Sequence, residues 1–156
     1  MPDTQPEQIP VSSDSIVVGH DGSGYADHAV AVALDLAEQL RAPVVLVRAW
    51  SIDTAPRPAN WEFGYVSSME EYAGEVRTEL VEAVMAEVAK HPDVKVDYRA
   101  IYASPLKSLI DVSRGARMLV VGSRGRGGLT GMLLGSVSEQ CVRHAKCPVL
   151  VVRPNT

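Results

Sequence analysis

The chain has 156 residues, 46% of them hydrophobic and 22% charged, which is the composition of a single compact globular domain and excludes a disordered or collagen-like chain. Fifteen Lys and Arg against nineteen Asp and Glu give a formal charge of −4, the wrong sign for a general binder of phosphate backbones. Any anionic ligand must therefore be held by a local feature. Apolar runs such as Val44–Val47 fall far short of the ~18 residues of a membrane span.

The N-terminal stretch 1–14 has three prolines and neither Lys nor Arg. It reads as a flexible tail rather than a secretory signal, and 15–156 as one domain, with the cytoplasm the expected compartment. Ser15–Gly19 is a short β-branched run that suits a strand buried on both faces. From Ala26, apolar residues at Ala29, Val30, Ala33, Leu34, Ala37 and Leu40 mark one helical face, and Pro43 closes that helix. Val44–Trp50 is the second strand, and Glu70–Lys90, with Val76, Leu80, Val84 and Val88 four apart, is a longer helix ended by His91–Pro92. Glu70, Glu71, Glu75, Glu79 and Glu82 form its solvated side.

Val94–Tyr102 alternates in part and is a third strand, near an edge. Ser104–Pro105 opens a third helix, serine as N-cap and proline at the first helical position. Arg117–Gly122 is strand four, Ser136–Lys146 the fourth helix and Pro148–Arg153 strand five. Alternating strands and helices predict right-handed βαβ units, hence a three-layer α/β sandwich around a parallel sheet. The insertion Ser51–Ser68 is long and carries Trp61, Phe63 and Tyr65. Leaving the carboxyl edge of the sheet, it reads as a ligand lid or partner surface, or as a mobile insertion.

Six glycines fall between Gly122 and Gly135, after strand four and leading into a helix. Glycine permits positive φ and close approach of backbone amides, and the first amides of a helix lack acceptors, so the segment favours an anion, with Arg124 or Arg126 adding charge. No Gly-Lys pair exists, which excludes a Walker loop, and Thr130 stands where a dinucleotide fingerprint needs glycine. Asp21 follows strand one, with an alternative role as N-cap of the first helix. The histidines His20, His28, His91 and His144 lack paired ligand spacing and read as surface or satisfied side chains, His20 being set apart by its neighbour Asp21. Cys141 and Cys147 match no redox or zinc spacing and read as packing residues.

Gly122-x-x-Gly125, nine residues, then Gly135-Ser136, together with Val17-Val-Gly-His-Asp21-Gly-Ser and Cys147-Pro-Val-Leu-Val-Val152, resembles the universal stress protein family, in its ATP-binding branch. The likeness runs from about Ser15 to Arg153. It implies five parallel strands in the order 3-2-1-4-5, with a last strand that often pairs across a homodimer. In that order strands one and four are neighbours between which the chain reverses, the switch point where open α/β sheets bind ligands.

The resemblance further implies that Asp21 lies near the nucleotide, Ala49 beside adenine, and Val121 and Gly122 against adenosine. Gly125, Gly135, Ser136 and Val137 would hold phosphate, with Arg124 in the motif's variable interior. Asp21 would meet ribose hydroxyls or a divalent ion, since a bare carboxylate repels triphosphate. The expected function is that of an ATP-binding stress-response regulator whose interactions or dimer state follow the nucleotide, with ATP carried alongside Mg²⁺ or another divalent ion. An unknown protein partner belongs to this reading. A slow ATP hydrolase, a cyclic AMP-binding protein of the same fold and a nucleotide-free dimerisation module are the rivals. Efficient catalysis is disfavoured by the missing P-loop lysine and the lack of an assigned base for water.

Overall fold

The computed structural model describes residues 11–56, 68–125 and 133–154. Nine elements follow in strict alternation: β1 Ile16–Gly19, α1 Gly24–Leu40, β2 Val44–Trp50, α2 Met69–Ala89, β3 Val96–Tyr102, α3 Pro105–Ser113, β4 Met118–Gly122, α4 Ser136–His144 and β5 Val149–Val152. The five strands form one parallel sheet in the order β3-β2-β1-β4-β5. That is the order expected from the resemblance, and β3 lies at an edge as its partial alternation required. Residues 1–10, and with them most of the expected tail, lie outside the described residues, as does most of the Ser51–Ser68 insertion.

Each central strand is buried on both sides, and the two-residue period of a strand sends its neighbours into different cores. Ile16, Val18, Leu46 and Val120 pack with Val30, Leu34, Leu80 and Val84 beneath α1 and α2. Val17, Val45, Val47, Leu119 and Val121 pack with Leu109, Val112 and Cys141 beneath α3 and α4. Leu34, Leu46, Leu80 and Leu119 are wholly buried, each worth about 1.5–3 kcal/mol relative to exposure. A third cluster joins Trp50, Val76 and Ala100 near the carboxyl end of β2, where Trp50 stacks on Tyr72 at 6.0 Å between ring centres and lies 4.9 Å from Tyr102.

Local chemistry sets the helix ends. Ser23, Ser68 and Ser104 cap α1, α2 and α3, their hydroxyls accepting from the amides of Ala26, Glu71 and Lys107. The cap of α1 is therefore Ser23, and the alternative that Asp21 caps it is corrected: the Asp21 carboxylate accepts from the Ser23 amide at 2.9 Å, in a tight turn one step before the helix. At the other end α1 stops at Arg41, which adopts the left-handed region at φ 54° and returns its amide to Ala37 and Glu38. Pro43 lies beyond that stop, so the helix ends by its own cap before proline is reached.

Candidate functional site

At the carboxyl edge of the sheet β1 and β4 run side by side, and the chain leaves β1 for α1 on one face and β4 for α4 on the other. A cavity of about 820 Å³ opens there. Its wall contains Asp21 after β1, Ala49 on β2, Val121 and Gly122 on β4, Arg124 and Gly125 after β4, and Gly135, Ser136 and Val137 at the start of α4. Four separate stretches of sequence thus converge on one crevice, and its size is that of a small-molecule site.

The glycine-rich segment begins and ends at a single backbone oxygen. The Ser123 carbonyl accepts from the Gly135 amide at 2.6 Å and from the Ser138 hydroxyl at 3.0 Å. The same hydroxyl lies 3.0 Å from the Gly135 carbonyl. Gly135 is the N-cap of α4 and supplies no side-chain cap, and Ser136 and Val137, which line the cavity, stand at the positive end of the helix dipole, where the first-turn amides lack intrahelical acceptors. An anion is the natural acceptor for them.

Gly122 and Gly125 act through space rather than through dihedral freedom. Among the described residues the glycines with positive φ are Gly22 and Gly115, not those of the signature. A Cβ on Gly122 would meet the Tyr25 carbonyl oxygen at 3.0 Å, so this glycine lets α1 close on β4. A Cβ on Gly125 would run into the Asp21 carboxylate, so Asp21 and the segment after β4 touch only because Gly125 has no side chain. At Gly135 the nearest atom, the Arg124 Cα, lies 3.4 Å from a built Cβ, an ordinary contact.

The cavity wall also holds polar residues whose role the sequence did not disclose. His20 is buried, with its Nε2 2.8 Å from Asp27 and its Nδ1 2.6 Å from Arg48. A guanidinium can only donate, so Nδ1 must present its lone pair and the proton rests on Nε2, donated to Asp27. Burial pushes the His20 pKa below the usual 6.5, the Asp27 bond opposes this and the Arg48 charge adds to it, so the ring is neutral. Arg48 donates its other terminal nitrogen to Glu79 on α2 at 3.1 Å. Glu79 thus departs from the purely solvated face expected of the α2 acidic residues. Arg48 Nε and Trp50 Nε1 are buried with no acceptor among the described residues.

A cation inside the apolar run Val44–Trp50 was the available signal for Arg48; its partner was hidden because the β1–β2 register, not sequence proximity, brings it to His20. His91, also buried, bridges Asp35 and Glu38 of α1, a satisfied histidine as expected. Cys141 belongs to the core and its thiol is pushed up to about 11 by burial, with Cys147 nearby also raised by burial, so both stay protonated packing residues. Among the described residues, no helix is long and apolar enough to cross a membrane.

A doubly wound parallel sheet with a crevice at its switch point defines an open-sheet α/β protein. Comparison with known proteins makes this specific: residues 13–153 match the universal stress protein family, and the chain belongs to it. A universal stress protein of Mycobacterium tuberculosis is 37% identical over 138 residues, covering 88% of this chain and 45% of the relative. The chain spans about half the length of the curated relatives it matches. Among solved structures, the universal stress protein UspA from Lactobacillus plantarum superposes with a TM-score of 0.71 at 20% identity, over 92% of this chain and 99% of its own. A universal stress protein solved in complex with cAMP has a TM-score of 0.63 at 26% identity, over 89% of this chain and 95% of its own.

Proposed function

We propose that this chain binds an adenine nucleotide, ATP in the first place, in the crevice between β1 and β4, and acts as a stress-response regulator whose partner or dimer state follows the bound nucleotide. The observation that carries this reading is the convergence of Asp21, Ala49, Val121, Gly122, Arg124, Gly125, Gly135, Ser136 and Val137 on one cavity. In this reading the adenosine lies along Ala49, Val121 and Gly122, and the phosphates meet the amides at the start of α4 with Arg124 beside them. Asp21, a carboxylate at the phosphate loop, faces ribose hydroxyls or the Mg²⁺ that accompanies a triphosphate. A reducing cytoplasm suits its two protonated thiols.

Cyclic AMP is the second reading, favoured by the relative solved with that ligand. Titration calorimetry separates the two. ATP should bind with a dissociation constant on the order of micromolar, about −8 kcal/mol, through several amides acting together. No heat at millimolar ATP refutes the first reading, and tighter cyclic AMP binding promotes the second.

Turnover should be negligible, well under the ~1–10³ s⁻¹ of ordinary enzymes. His20 is the histidine of the described wall, and its lone pair is committed to Arg48 while its proton is committed to Asp27. Glu79 is likewise engaged, by Arg48. Neither is free to orient or deprotonate water. Phosphate release over hours by purified protein is the measurement; a robust rate that survives repurification and disappears in Gly125→Val moves the protein to the hydrolases.

A further inference from the structure

On the α3 side of the sheet the cavity ends against strand residues that share one level. Gly19 of β1 stands opposite Val47 of β2, and Val121 of β4 follows Val120, the partner of Val18, so Val47, Gly19 and Val121 lie side by side across three strands. All three line the cavity, as does Leu109 of α3, and Leu109 belongs to the same buried cluster as the two valines. A Cβ on Gly19 would stand 3.0 Å from both Leu109 methyls, Cδ1 and Cδ2, so Leu109 is seated on the bare backbone of Gly19. Its helix is fixed above the seat by the Ser104 cap and by the Ser108 hydroxyl, which donates to the Ser104 carbonyl at 2.8 Å. Further out along β2, beyond Val47, the wall continues with the small Ala49.

We propose that Leu109 is a specificity-determining residue: seated on Gly19, it closes the inner end of the base pocket, so that the site takes an unsubstituted purine and refuses one with an alkyl group on the edge facing α3. The inference rests on the reading above, in which adenosine lies along Ala49, Val121 and Gly122. In the strand order β1 runs between β2 and β4, so a purine spanning Ala49 and Val121 has Gly19 and the Leu109 methyls between those two contacts. Close-packed interiors yield little, and one methylene more or less in an apolar pocket changes affinity about 10–200-fold. Gly19 sets the depth of the pocket, because any side chain at that position would push the Leu109 methyls away.

The test is titration calorimetry of ATP and of ATP analogues alkylated at the exocyclic N6, at C2 or at C8, on the wild type, Leu109→Ala, Leu109→Val and Val112→Ala. The same substituents on cyclic AMP serve if that is the ligand bound. Val112 lies in the same helix and the same buried cluster as Leu109, but it is not part of the cavity wall. The wild type should bind the unsubstituted nucleotide at least about tenfold more tightly than the analogue alkylated on the inner edge. Leu109→Ala should bind the unsubstituted nucleotide less tightly, for want of the lost contact, and that analogue at least about tenfold more tightly than the wild type does, since an apolar hole stays dry and accepts an apolar group. The ring position that gains identifies the edge facing α3. Leu109→Val should show the same inversion to a smaller degree, which decides the matter if the alanine variant does not fold. Val112→Ala should lower the melting temperature and keep the selectivity of the wild type.

Thermal stability reports on the seat independently of any ligand. Gly19→Ala should lower the melting temperature in the wild-type background and lower it much less beside Leu109→Val or Leu109→Ala, because the methyls that its Cβ strikes are gone. The proposal is overturned if no analogue gains affinity in either Leu109 variant, if Val112→Ala gains as much, or if the losses from Gly19→Ala and the Leu109 variants are additive. If the wild type binds neither ATP nor cyclic AMP, the functional reading falls and the selectivity with it, while the melting-temperature cycle still decides whether Leu109 is seated on Gly19.

Discussion

Gly125→Val is expected to weaken nucleotide binding by at least about 100-fold, close to 2.7 kcal/mol, while the circular dichroism spectrum stays that of the wild type. A Cβ at this position meets the carboxylate of Asp21, the far end of a short side chain that can rotate away, so the fold survives and the site does not. The substitution therefore removes two elements at once, the close approach of the segment after β4 and the placement of Asp21. A double-mutant cycle tests this: Asp21→Ala combined with Gly125→Ala should cost little more than Asp21→Ala alone, because the steric conflict disappears with the carboxylate. Additive losses would show that Gly125 acts on the ligand directly. Gly135→Ala should cost less than Gly125→Ala, since its Cβ has ordinary contacts. Normal binding by Gly125→Val would remove the crevice assignment and leave the fold untouched.

The second large effect concerns assembly. β5 is an edge strand of valine and leucine, with Val149, Leu150 and Val151 partly exposed, and an apolar edge with open backbone groups invites a further strand. A two-fold dimer through antiparallel β5 strands satisfies both. The ladder identifies the amides concerned. Leu119 donates to Pro148 and Ser123 donates to Val152, so Pro148, Leu150 and Val152 face β4, and Val149 and Val151 face outward. Val151→Pro deletes an outward amide and leaves the β4 ladder whole, whereas Leu150→Pro breaks that ladder. By symmetry each dimer loses two bonds at about 1–1.5 kcal/mol apiece, enough for about a 100-fold weaker dimer. Sedimentation velocity should show a wild-type dimer at tens of micromolar and a folded Val151→Pro monomer. A wild-type monomer refutes the dimer, and a folded variant that remains dimeric places the interface elsewhere.

The architecture was legible where one physical signal dominated. Buried parallel strands announce themselves as uninterrupted β-branched runs, as in Val44–Val47, and Ser104–Pro105 marks a helix start by two independent preferences. The nine candidate site residues were named from the family resemblance, and all nine line the cavity. Asp21 was harder, because Asp and Ser two residues apart both suit a cap, and only coordinates show which oxygen reaches which amide. The end of α1 was hidden for a related reason: Arg41 takes the left-handed conformation usually left to glycine or asparagine. The Glu79–Arg48–His20–Asp27 chain was invisible to local reading, since its links join three elements and the turn after β1 and depend on strand register and helix packing together.

The carbonyl of Ser123 gives the glycine segment a property of its own. Departure and return of the chain are fixed at one atom, held from behind by the Ser123 amide on the Val152 carbonyl at 2.8 Å. The entropy of closing such a loop grows only with the logarithm of its length, so doubling the stretch between 124 and 134 costs about 0.6 kcal/mol. Length in this stretch is therefore nearly independent of the stability of the sheet. A lineage, or an engineer, can lengthen it while the clasp of Ser123 on Gly135 keeps the start of α4 in place.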